Sequence, residues 1–156
     1  MPTWSGLYTI LYMNRERILV SACLAGIPCR YDGTARTVPY IEDLYRRGLA
    51  VPVCPETAGG LPVPRRPSEI RDGRVYHNDG TDVTENFIRG SQECMRICME
   101  NGCVKAVLKS KSPACGKGTV YSGDFSGTLR EGNGIFAQML EDSGIEVMSE
   151  EEACLK

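Results

Sequence analysis

Three short apolar runs in this chain each lead into a loop that carries a cysteine. The first is Ile18-Leu19-Val20, followed by Ser21-Ala22-Cys23; Gly26 and Pro28 then break the pattern and Tyr31-Asp32-Gly33 closes a turn. The second is Leu49–Val53, which ends in Cys54-Pro55-Glu56 before Gly59-Gly60 and the proline-rich stretch Leu61–Pro67. The third is Val104–Leu108, which leads through Lys109-Ser110-Lys111-Ser112-Pro113-Ala114 to Cys115-Gly116. Short continuous apolar runs of this kind suit strands buried on both faces of a parallel sheet. In open α/β sheets the ligand crevice lies beyond the carboxyl ends of the strands. Thiols delivered to three such ends are therefore candidate site elements.

Between the runs the periodicity becomes helical. Val38–Arg47 carries a stripe of Ile41, Leu44 and Tyr45, with Pro39 near its start and Gly48 at its end. A second helix runs from Thr84, read as its N-cap, to about Asn101 before Gly102, with Phe87, Ile88, Cys94, Ile97 and Cys98 on one face. A third covers Gly134–Ser143, with Ile135, Phe136, Met139 and Leu140 inward, and Ile145–Met148 is the last strand. Arg74–Tyr76 reads as a short edge strand followed by a turn at Asp79-Gly80, and Tyr121–Arg130 as a glycine-rich loop. Strands alternating with helices imply parallel pairing through right-handed crossovers. The expected fold is α/β: a three-layer sandwich around a small, mainly parallel sheet of about four strands, Rossmann-like. Residues 1–17 read as an N-terminal extension, either disordered or a start placed too early, since Met13 gives a natural opening. Residues 18–150 form a single α/β domain, and 151–156 an acidic, exposed tail.

Composition narrows the chemistry. The net charge of −2 offers no basic face for a nucleic acid. No run of apolar residues is long enough to span a membrane. Eight cysteines need a reason. A secreted disulfide scaffold would bring a signal peptide, and the N-terminus has neither a basic start nor a cleavage site. The expected location is the cytoplasm, where cysteines in loops bind metal or do thiol chemistry.

Cys23, Cys54 and Cys115, converging from distant loops, could hold an iron–sulfur cluster or a zinc ion. A cluster held by three cysteines leaves one iron free, as an open position distinguishes a catalytic zinc from a structural one. Cys94, Cys98 and Cys103 form a competing group, but Cys94 and Cys98 share a helix face and read as buried structural thiols. Cys154 lies in the charged tail and reads as incidental. Cys29, beside Arg30, is a spare thiol or one that supports a ligand. Cys23 to Arg30 is one residue too long for a thiol phosphatase loop. Cys115–Thr119 lacks the phosphate-loop spacing, and Gly132-x-Gly134 does not follow a strand. The lone His77 sits in a turn-rich stretch and reads as exposed, which disfavours a Cys–His hydrolase.

Taken together, Ser21-Ala-Cys-Leu-Ala-Gly26 with Arg30-Tyr-Asp-Gly33, Cys54-Pro-Glu56 with Gly59-Gly-Leu61 and Pro64-Arg65, Gly80-x-Asp82-Val-Thr-Glu85, Leu108-Lys109, Ser112-Pro-Ala-Cys-Gly116 and Tyr121-x-Gly123 resemble the DUF523 family of thiouracil desulfidase-like proteins. The match runs in order from Ile18 to Glu150. Ala114 departs from the Ser-Pro-Ser-Cys-Gly often found there.

The resemblance implies a 4Fe–4S cluster held by Cys23, Cys54 and Cys115, with its free iron taking the sulfur of a thiolated small molecule such as a thiouracil-like nucleobase. The implied reaction is non-redox: sulfide leaves and water supplies the oxygen. It implies catalytic roles for Glu56 and Ser112; Asp32, Arg30 and Lys109 are further candidates for substrate contacts. A reading from a different class is a non-catalytic metal-binding or iron–sulfur carrier module, and a third is a structural zinc protein.

Overall fold

A computed structural model describes residues 16–154. The expected extension up to residue 15, including the alternative start at Met13, lies outside the described residues, as do residues 155 and 156 and the side chain of Cys154.

Four strands form the central sheet: β1 (Ile18–Ser21), β2 (Ala50–Val53), β5 (Lys105–Leu108) and β8 (Glu146–Ser149). All pair in parallel, in the order β2-β1-β5-β8. Helix α1 (Pro39–Arg46) connects β1 to β2, α3 (Thr84–Glu100) lies between β2 and β5, and α4 (Ile135–Asp142) between β5 and β8. Successive strand residues point to opposite faces, and the two faces bury different sets. Leu19, Ala106, Leu108 and Val147 pack with Phe87, Cys94 and Cys98 of α3 and Phe136 and Leu140 of α4. Ile18, Val20, Val107 and Met148 pack with Ile41 and Leu44 of α1 and with Ala153. The result is the expected three-layer α/β sandwich. The chain leaves β1 in one direction to reach β2 and passes to its other side to reach β5, so strand order reverses between β1 and β5. That reversal is where open sheets of this class form a crevice.

Several local expectations change. The expected edge strand at Arg74–Tyr76 is present as β4 (Arg74–His77), and its partner is a strand the sequence reading did not expect, β3 (Ser68–Arg71), which pairs with it around Asp72-Gly73. Both turn residues have positive φ, 51° and 77°, as a tight hairpin of this twist requires. The expected glycine-rich loop, Tyr121–Arg130, lies within a second hairpin, β6 (Thr119–Tyr121) with β7 (Leu129–Glu131), and forms its tip. β7 is three exposed residues long and offers no apolar signal. Thr84 does not cap its helix. Thr84 is instead the first helical residue, after Val83 at the cap position; its hydroxyl accepts the Val75 N–H at 2.9 Å, and Asp82 Oδ1 accepts its N–H at 2.9 Å.

The acidic tail is not exposed throughout: Glu150–Cys154 is a short helix, α5, with Ala153 buried. Ser149 Oγ accepts the Glu152 N–H and Glu152 Oε1 accepts the Ser149 N–H, each at 3.1 Å, a reciprocal capping box. No helix among the described residues is long and apolar enough to cross a membrane.

Candidate active site

Each of three strand ends is shaped by a different local device. After β1 the chain makes one 3-10 turn, Ala22–Ala25, with Cys23 inside it, and Gly26 stops the turn at φ 99°. After β2, Cys54 precedes a single turn of helix, α2 (Pro55–Ala58), rather than the expected loop. That turn sits flush on α3. A Cβ added at Gly90 would lie 1.7 Å from the Pro55 carbonyl oxygen, and one at Gly59 would lie 1.9 Å from that of Asn86. After β5 the chain runs through Lys109–Ser112 to Cys115. Ser112 Oγ accepts the N–H groups of Ala114 (3.1 Å) and Cys115 (3.0 Å), which folds the segment back. Helix α4 then meets it end-on. The N–H groups of Ile135 and Phe136, which have no partner within their own helix, donate to the carbonyls of Pro113 and Ala114 at 2.9 Å.

The three ends surround one cavity of about 460 Å³. Cys23, Cys54, Cys115, Glu56, Ser112, Arg30 and Lys109 all line it, as do Cys29 and Arg65. Asp32 does not. Its exposed carboxylate accepts the N–H (3.1 Å) and hydroxyl (2.6 Å) of Thr34, and Thr34 Oγ1 in turn accepts Arg30 Nη1 at 3.1 Å. Asp32 therefore reaches the cavity only through Arg30. Cys94, Cys98 and Cys103 are buried in the core under α3. His77 is half-buried, paired through Nδ1 with Ser68 Oγ at 2.7 Å, and does not line the cavity.

The thiols differ in their electrostatics. Cys54 is held well below the usual thiol range because the Cys29 S–H donates to it; burial opposes this, and Thr57 and Arg65 assist. Cys29 is pushed far up by the same bond and by burial. Burial and the Cys54 charge raise Cys23 to about 11, with Lys109 and Arg30 pulling the other way. Burial raises Cys115 well above the ordinary thiol value, against a hydrogen bond from Ser21. Ser21 Oγ also accepts the Lys109 N–H at 2.8 Å, joining the ends of β1 and β5.

Glu56 is raised by burial, an effect that the neighbouring Arg65 charge and hydrogen bond only partly offset. Arg65 Nε donates to Glu56 Oε1 at 2.9 Å and Nη2 to the Cys29 carbonyl at 2.9 Å, so one guanidinium braces two walls. On the opposite rim, Glu150 accepts the Ser110 N–H and hydroxyl and lies 3.6 Å from Lys109 Nζ.

Arg65, named above only within the family motif, and Glu150 are site-supporting residues to which the sequence reading gave no role. Arg65 stands in a proline-rich loop and Glu150 in an acidic run, where a charge ordinarily reads as solvated. The capping-box spacing Ser149-x-x-Glu152 could have revealed the helix that holds Glu150.

The donor set has the softness that iron–sulfur chemistry asks for: four thiols and no imidazole line the cavity. Among the described residues no three His, Cys, Asp or Glu side chains converge closely enough to hold a single metal ion. A cubane is gripped from around its outside, so its ligands need not meet at one point.

Similarity to known proteins agrees with this geometry. The chain is 38% identical over 145 residues to the uncharacterized protein YbbK of Bacillus subtilis (strain 168), covering 86% of this chain and 96% of that one. It superposes on the solved structure of the 4Fe–4S-dependent thiouracil desulfidase TudS (DUF523Vcz) with a TM-score of 0.84 and 41% identity, over 90% of this chain and 96% of that one. Residues 18–152 match the 2-thiouracil desulfurase family, and this chain belongs to it.

Proposed function

We propose that this protein is a desulfidase that removes the sulfur of a thiouracil-like thiocarbonyl compound with the help of a 4Fe–4S cluster held by Cys23, Cys54 and Cys115. The observation that carries the reading is the shared cavity, where three strand-end thiols stand with Glu56 and Ser112. When bound, a cluster with three protein ligands supplies an open iron that takes a soft sulfur atom and draws electrons from the carbon attached to it.

The chain's own groups would do the rest. Exchanging a thiocarbonyl sulfur for oxygen consumes one water and releases one hydrogen sulfide, so one group must take a proton from water and return it. Glu56 fits, because burial raises its carboxyl above the ordinary value, toward the range in which a group can both take and return a proton. Ser112 Oγ already accepts two backbone N–H groups, so its own O–H is left to donate to a ring atom or carbonyl. Arg30 and Lys109 place positive charge beside the cavity for the polar edge of the substrate. Asp32 fixes Arg30 through Thr34.

The test is an iron and sulfide assay on anaerobically purified protein, together with sulfide release from 2-thiouracil. About four irons per chain, lost in Cys115→Ala, are expected. Glu56→Ala and Ser112→Ala should keep the iron and lose turnover. Retained turnover in both would remove these two residues from the reaction, and iron bound by wild type with no sulfide release would leave a carrier module instead.

A further inference from the structure

The β6–β7 hairpin carries Phe125, which lines the cavity along with Tyr31 and Tyr121 and is the one of the three without a polar group on its ring, and it holds that residue in an unusual way. Phe125 has φ 57°. For a bulky side chain this left-handed conformation is disfavoured, because the Cβ crowds the following carbonyl. Such residues persist where the surroundings fix them, and they gather at ligand clamps.

Here the surroundings are explicit. Glu69 Oε1 accepts the N–H groups of Gly123 (2.9 Å) and Phe125 (3.2 Å). Gly123 lies so close to β3 that a Cβ on it would sit 2.5 Å from the Ile70 carbonyl oxygen. Within the hairpin tip, Asp124 Oδ1 accepts the Ser122 hydroxyl (2.7 Å), the Ser126 N–H (3.1 Å) and the Ser126 hydroxyl (2.6 Å). The tip is thus tied to the body on one side and to itself on the other, and Phe125 is half-buried at a cavity that it shares with Tyr31, Tyr121 and a run of charged, hydroxyl and thiol side chains.

We infer that Phe125 determines specificity: its ring is a flat apolar wall on which a planar heteroaromatic substrate stacks, and Glu69 is the positioning residue that aims it. A flat π-face against a nucleobase-like ring is sequence-tolerant recognition that needs no hydrogen bond. The inference rests on the reading above for the reaction, but stacking can be read without turnover.

The experiment measures uracil affinity by calorimetry on iron-loaded wild type, Phe125→Ala, Phe125→Leu, Phe125→Trp, Glu69→Ala and Glu69→Gln. Phe125→Leu keeps an apolar side chain and guards against a folding defect. Loss of stacking should weaken uracil binding about tenfold or more in Phe125→Ala and Phe125→Leu, while Phe125→Trp retains it. Glu69→Ala should follow Phe125→Ala, and Glu69→Gln should recover, since its amide oxygen can accept both N–H groups. In turnover, KM for 2-thiouracil should rise and KM for thiourea, which has no ring, should stay put. Unchanged uracil affinity in Phe125→Leu, or a wild type that binds no uracil, overturns the inference. Sulfide release with no stacking effect sinks the wall alone; a stacking effect without sulfide release sinks the desulfidase reading alone.

Discussion

Arg65 reaches Glu56 at 2.9 Å with both side chains nearly out of water, 3% and 15% exposed. Removing one partner of such a pair strands the other's charge. In Arg65→Ala the opposing positive charge disappears and the Glu56 carboxyl rises further. The folded protein then keeps a proton that the unfolded chain has already released. Stability therefore falls as pH rises from the ordinary carboxyl range through the raised folded value. We expect a loss of about 3 kcal/mol or more at pH 8 and a smaller one at pH 4.5, read by urea unfolding at both. An equal loss at the two pH values would mean that only the guanidinium's carbonyl contacts matter.

Cys54 and Cys29 share one proton. The Cys29 S–H stabilises the Cys54 thiolate, so Cys54 is ionised at a pH where Cys23 and Cys115 are not. In protein stripped of metal, iodoacetamide at pH 6 should alkylate Cys54 first. Cys29→Ala should slow that labelling several-fold, since only the thiolate attacks. Peptide mass mapping over a time course reads both. Labelling of Cys54 at the same rate as Cys23 would contradict the pairing.

Gly90 leaves no room for a methyl group against the Pro55 carbonyl. Because that carbonyl is backbone, the strain of Gly90→Ala cannot be relieved by a rotamer change. It must move α2 and with it Cys54. We expect a cost near the upper end of the overpacking range, about 3 kcal/mol, together with reduced iron loading. Denaturation with an iron assay on the same sample checks both. Full iron loading in a destabilised variant would show that Cys54 tolerates the shift.

Asp82 is held below the usual carboxylate range by Arg74, then by the Thr84 side chain and N–H. A depressed folded value stabilises above the ordinary carboxyl range and is lost as pH falls through it. Asp82→Ala should lower Tm at pH 7, and the gap to wild type should close as the pH is taken toward 2. A gap that does not change with pH would assign the loss to the hairpin contact rather than to the charge.

The central sheet was legible because each strand is a short apolar run that both faces bury, and the helices because their stripes and terminal glycines agree. Of the hairpin strands only β4 was legible, as the expected edge strand at Arg74–Tyr76; β3 alternates through Ser68, Glu69, Ile70 and Arg71 too briefly to stand out, and β7 is wholly exposed. Thr84 misled because its hydroxyl found the Val75 N–H, a partner distant enough in sequence that local capping rules do not see it. Cys23, Cys54 and Cys115 could be picked out because they stand at strand ends, whereas Glu56 and Ser112 came from the family resemblance, and all five line the same cavity. Arg65, Glu150 and Phe125 could not be picked out, because their contacts join segments that are far apart in the chain.

Cys23, Cys54 and Cys115 are neighbours across the sheet rim yet belong to three separate crossover connections. Anything that grips all three is a cross-link that closes two long loops at once, and loop closure stabilises more as the loops lengthen. Loading the site is then also a folding event, shifting the native population by mass action. An unloaded chain should loosen first at that rim, while the opposite ends of the same strands stay closed, so that oxidation or starvation for iron would mark these molecules for proteolysis at the very loops that hold their chemistry.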